Sequence, residues 1–196
     1  FTLIPAAEGV FSATVPAGVF TDAATNTNTA APAPVSRTYD ISRPSVVLAS
    51  AAPATVNSAI TVTATVNEAV TGFTDTDITV VNASVSGFGN SGNVYTFTLT
   101  PQSDGAFSAM VNANLFVDAA GNQNTAAPTA VNRTYDHTPP TASLSANPAN
   151  PVKNAISVTV TMNEDVLGFD DTDISVTVTE IADRKSTRLN SSHITI

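Results

Sequence analysis

Glu68, Asp75 and Asp77 share one short stretch of this chain, and Asp118 is followed closely by Asn122 and Asn124. Asp40 and Asp136 stand between such groups, while Glu164, Asp171 and Asp173 restate the first of them further on. These side chains bring oxygen to a site and little else. Carboxylates gathered at one point repel and raise one another's pKa unless something positive joins them. Near Asp40 the only basic residues are Arg37 and Arg43. A calcium ion would relieve the repulsion, because it takes six to eight oxygens from carboxylates, amides and backbone carbonyls of separate loops. Asp40, Glu68, Asp75, Asp77, Asp118 and Asn122 therefore form one candidate ligand set. Asp136, Glu164, Asp171 and Asp173 begin a second, and residues 1–40 retain Asp22, Asn26 and Asn28. Asp and Asn also build ordinary Asx turns, and acidic loop tips keep a weakly charged surface soluble. A ligand set drawn from separate loops is less diagnostic than a one-loop calcium motif.

Such a set needs strands that deliver distant loops to one place. Ile60, Val62, Ala64 and Val66 alternate with Thr61, Thr63 and Thr65, and Tyr95, Phe97 and Leu99 alternate with Thr96, Thr98 and Thr100. That period of two marks half-buried strands with a threonine face to water. Phe107, Ala109 and Val111 repeat it, and Val46 with Leu48, Ile78 with Val80, Val85, and Val131 with Tyr135 mark further strands. Turn residues separate them at Asn90–Asn93 and Ser103–Gly105. About seven short strands in such a span, with no helical periodicity, predict an all-β, immunoglobulin-like sandwich without the cysteine pair of antibody domains. With strands running alternately down and up, the loops after the second, fourth and sixth strands lie where the chain enters. Glu68, Asp75 and Asp77 follow the second strand, Asp118 follows the sixth, and Asp40 arrives at that end, whereas Asp104 is expected at the far one.

The chain repeats itself with a period of 96 residues: RTYD at 37–40 returns at 133–136, and VNEAVTGFTDTDI at 66–78 is matched by MNEDVLGFDDTDI at 162–174. Residues 1–40 read as the C-terminal part of one repeat, 41–136 as a complete repeat, and 137–182 as the N-terminal part of a third. The succession VNEAVTGFTDTDITV, VYTFTLTPQSDG, VDAAGNQNTA and RTYD resembles the bacterial immunoglobulin-like repeats of large surface adhesins and biofilm-associated proteins. That resemblance implies an extended array outside the cell or on its surface, acting as a stalk or adhesive rod whose partners are neighbouring repeats of the same chain. Host or surface ligands would be met by other parts of the whole protein. Residues 183–196, DRKSTRLNSSHITI, have no counterpart in the central repeat and resemble the translation of a sequencing-library adapter. They are set aside as a non-native tail.

Several other functions are disfavoured. Sixteen acidic against seven basic residues give a net charge of -9, which repels a nucleic-acid backbone. No apolar run is long enough to span a bilayer. The absence of cysteine removes disulfides and thiolate chemistry. Gly87, Gly89 and Gly92 spell GxGxxG, yet a strand follows instead of the helix a phosphate site requires. His137 lies in a linker and His193 in the tail, so no catalytic triad assembles. Without tryptophan there is little to line a sugar cleft between paired carboxylates. The expectation is a non-catalytic structural repeat stiffened by calcium. The alternatives are a module that grips a carbohydrate or protein ligand, or an accessory domain of a secreted enzyme.

Overall fold

The structure, a computed structural model, describes residues 1–147 and 153–177, in two units that divide after His137. The end of the third repeat and the tail at 183–196 lie outside the described residues. In the first unit, β1 (Gly9–Ala13) and β2 (Val35–Tyr39) pair as an antiparallel ribbon that closes the first repeat. The central repeat follows with β3 (Val46–Ala49), β4 (Thr55–Val56), β5 (Ile60–Val66) and β6 (Val70–Thr71). A 3-10 turn at Asp75–Asp77 leads into β7 (Ile78–Val81), and β8 (Ala83–Ser91), β9 (Val94–Pro101) and β10 (Gly105–Val111) come next. The repeat ends with β11 (Val117–Asp118) and β12 (Val131–Tyr135).

Two four-stranded sheets result, in the orders β3-β5-β9-β8 and β4-β12-β10-β7. Counting only the longer strands, these are the first, second, fifth and fourth against the seventh, sixth and third, which is the strand arrangement of a constant-type immunoglobulin sandwich. The cause is visible in the register. Val62 faces Phe97 across the β5–β9 ladder and Thr63 faces Thr96, so one face is apolar and the other carries hydroxyls. Val62, Phe97 and Leu99 meet Phe107, Ala109 and Val111 from the opposite sheet, and all six are buried. Each fully buried Phe, Leu or Val contributes about 1.5–3 kcal/mol relative to an exposed position.

Local chemistry ties the strands at their ends. Arg133, from the repeated RTYD, donates to the carbonyls of Ala52 (3.0 Å) and Ser50 (2.9 Å), pinning the segment between β3 and β4. The glycine-rich stretch divides its work. Gly87 sits at φ +62° where the β8–β9 register shifts, and Gly92 at φ +60° turns the hairpin. In the second unit, β13 (Ala142–Asn147) and β14 (Ser157–Met162) pair as β3 and β5 do, Ala142 opposite Met162 as Val46 is opposite Val66. A second 3-10 turn follows at Asp171–Asp173.

Candidate functional site

The two-residue strands β6 and β11 have no periodic signal of their own, yet they position the acidic groups. Asp118 pairs with Val70 and Val117 with Thr71. This short ladder draws the loop after β5, which carries Glu68, against the loop after β10. Beside it Phe73 packs tilted against Phe116 at 4.6 Å and edge-on against Tyr95 at 4.8 Å, an aromatic floor that joins both loops to the core.

Asp40, Glu68 and Asp118 converge here, each offering a carboxylate oxygen within 4.8 Å of the others. Asp118 is the innermost, with 4% of its surface exposed. Its Oδ1 accepts from the N–H groups of Ala120 (2.8 Å) and Asn122 (2.9 Å), and its Oδ2 accepts from Asn122 Nδ2 (2.8 Å). Burial pushes the Asp118 carboxyl up, but the bonds from Asn122, Ala120 and Gly121 outweigh it and hold the group below the usual carboxylate range. Glu68 is displaced the other way: burial first, then Asp118, Asp40 and Glu8, raise its pKa against a weak opposing bond from Asn67. The pair thus places an anion fixed by amide donors beside one made costly by its neighbours.

Three hard oxygen donors suit calcium, and a carboxylate oxygen that accepts one N–H still has a lone pair to offer. Asn122 also braces the cluster through its amide nitrogen. Its Nδ2 bridges Asp118 and, at 3.1 Å, the backbone carbonyl of Asp40, so it fastens two members of the cluster to each other. Asn124 is fully buried and structural. Its Oδ1 accepts from Leu115 and Phe116 N–H, and its Nδ2 donates to the carbonyls of Asn112 and Thr125.

The structure does not gather all of the candidate ligands. Asp75 and Asp77 stand outside the cluster, on a 3-10 turn whose capping box engages Asp77 with the N-cap Thr74: Asp77 Oδ2 accepts from Thr74 N–H at 2.8 Å. Asp173 plays the same part in the second unit, accepting from Asp170 N–H at 3.0 Å, beside Asp171 on the same turn. Glu164 there receives Asn163 Nδ2 at 3.4 Å, as Glu68 receives Asn67. Asp136 closes the first unit with its N–H on the Val56 carbonyl.

Glu8 went unnoticed in the sequence. It belongs to the preceding repeat, and its carboxylate accepts from Ile41 N–H (2.8 Å) and Ser42 Oγ (3.0 Å) beside the cluster. A signal was present: Asp104 lies one 96-residue period after Glu8. The far end of one repeat is the near end of the next junction.

Residues 40–135 match the family of bacterial Ig-like domains. No curated protein and no solved structure matches the chain.

Proposed function

We propose that this chain, whose central repeat is a bacterial Ig-like domain, is part of a stalk of tandem repeats in a bacterial surface or secreted adhesin, and that calcium stiffens its junctions. The carrying observation is the convergence of Glu68 and Asp118 with Asp40, the last residue of the preceding repeat, within 4.8 Å. A cation taken up there would join residues from both sides of the linker and so resist bending between modules. Duplication favours a spacer over a recognition module, since recognition calls for specialised loops whereas distance-holding tolerates copies. In this reading the chain performs no reaction. Among the described residues no helix is long and apolar enough to cross a membrane.

The affinity expected of such an extracellular module is on the order of 0.1–1 mM. Titration of the full chain with calcium, followed by calorimetry and by thermal melting, tests the proposal directly. Binding abolished by Asp118→Asn together with Glu68→Gln supports it, and a melting curve identical in calcium and in chelator overturns it.

A further inference from the structure

The linker between the first and central repeats has no unheld residue from Asp40 to Ser45, and the two repeats divide the work of holding it. On the side of the preceding repeat, Gly9 pairs with Tyr39, so Glu8 lies opposite Asp40 at the open end of the β1–β2 ladder. Glu8 Oε1 accepts from Ile41 N–H at 2.8 Å, and both of its oxygens lie 3.0 Å from Ser42 Oγ. On the side of the following repeat, Asn122 donates to the Asp40 carbonyl. Arg43 donates to the carbonyls of Gln123 (2.7 Å) and Asn124 (2.8 Å) and to Asn114 Oδ1 (2.6 Å). Thr125 N–H reaches the carbonyl of the buried Pro44 at 2.8 Å, and Ser45 N–H reaches Asn67 Oδ1 at 2.7 Å.

The next linker begins in the same way. Gly105 pairs with Tyr135, and Asp104 Oδ1 accepts from His137 N–H at 2.9 Å. The acid differs and so does the linker sequence, ISRP against HTPP, while the bond from a hairpin carboxylate to the first linker amide is kept. In both cases a glycine at positive φ follows the acid, Gly9 at +126° and Gly105 at +118°. That region disfavours any side chain, and it turns the hairpin backbone at the residue next to the acid.

The geometry points to Glu8 as the clamp by which the first repeat captures the linker into the central repeat, holding that junction with protein groups alone, and Asp104 makes the same bond to the first linker amide one repeat later. The partner recognised is the start of the next repeat, through its first amide N–H. This goes beyond the calcium reading and does not rest on it. The hydrogen bonds that hold Asp40 to Ser45 use protein groups alone.

The chain has no cysteine, so spin labels at Thr38→Cys and Ser84→Cys, both exposed positions, report the distance between the first and central repeats of the full chain. In chelator the unsubstituted clamp should already give one narrow distribution, which calcium narrows further, and Glu8→Ala should broaden it in both. Amide exchange at Ile41 should quicken about tenfold to a hundredfold in Glu8→Ala, the loss expected for a charge-assisted bond, with the β5–β9 amides unmoved. If Glu8→Ala disrupts the β1–β2 ribbon, Asp104→Ala, in the complete repeat, carries the same test through the His137 amide. A broad distribution in chelator with Glu8 intact overturns the clamp, as does exchange at Ile41 and His137 that these variants leave unchanged. Calcium that alters nothing in the unsubstituted chain counts against the stiffening ion alone and supports the clamp.

Discussion

Asp118 pairs in antiparallel register with Val70, two residues beyond Glu68, so the acid that amide donors hold ionised lies beside the acid its neighbours make costly to ionise. A bound cation and a bound proton should both be felt there, with opposite demands on Glu68. A cation favours the carboxylate, and protonation relieves its repulsion from Asp118 and Asp40.

Calcium should therefore raise the melting temperature of the full chain. At 10 mM and an affinity on the order of 0.1–1 mM, mass action gives about 1.4–2.7 kcal/mol. Glu68→Gln should remove most of this gain, because it deletes one anion of the three. Asp75→Ala should leave the gain intact, since Asp75 lies outside the cluster. Melting curves of the three proteins with and without calcium make the comparison.

In chelator, the pH dependence of stability has a sign set by these two groups. Glu68 has a folded pKa above its unfolded value, so the native state holds the extra proton and stability falls as pH rises through that interval. Asp118 has a folded pKa below its unfolded value, so its contribution is present above the unfolded pKa and is lost as pH falls through the folded one. Stability should peak in mild acid, between the two titrations. Glu68→Gln should flatten the decline towards neutrality and leave the acid limb in place. Urea unfolding across a pH series checks both limbs.

Asn124→Ala should destabilise the central repeat on the order of 3 kcal/mol, since it strips partners from the buried Phe116 N–H, the part-buried Leu115 N–H and the carbonyls of Asn112 and Thr125, a fully buried group left unpaired costing about 1–3 kcal/mol. Asn124→Asp should also be harmful, because it replaces the donating Nδ2 with an acceptor facing the carbonyls of Asn112 and Thr125. Chemical denaturation measures both.

Much of this was legible because it is local. The loop VDAAGNQN folds on its own bonds. In the first repeat Asp22 accepts from Ala24 and Asn26 just as Asp118 does from Ala120 and Asn122, although Phe20 is 61% exposed where its counterpart Phe116 is 2% exposed. The alternation of valine with threonine likewise announced β5 and its apolar face. The convergence of Asp40, Glu68 and Asp118 followed from strand alternation, which needs only the number of strands. What escaped was set by context. Asp77 reads as a free loop carboxylate until Thr74 N–H is seen to occupy it. Strands β4, β6 and β11, two residues each, are too short to show a period. Glu8 was missed because assigning Asp104 to the far end treated a repeat as an isolated body, although in an array each far end faces a neighbour.

The aromatic floor links packing to the site, and Phe73 is where the two can be separated. Its ring contacts Phe116 at 4.6 Å, Tyr95 at 4.8 Å and Phe88 at 5.4 Å, between the loop of Glu68 and the loop of Asp118. Phe73→Ala removes a buried ring and should cost about 3–5 kcal/mol. If the floor only contributes to the core, the calcium-dependent gain in melting temperature should persist from the lower baseline. If it also holds the β6–β11 ladder in register, that gain should shrink together with the stability, as the oxygens of Glu68 and Asp118 move apart. The second outcome is expected, because β6 and β11 pair over only two residues, with the Val117–Gln123 bridge alone beside them among the described residues. Phe73→Leu, which keeps most of the volume, should recover the calcium response before it recovers the full melting temperature.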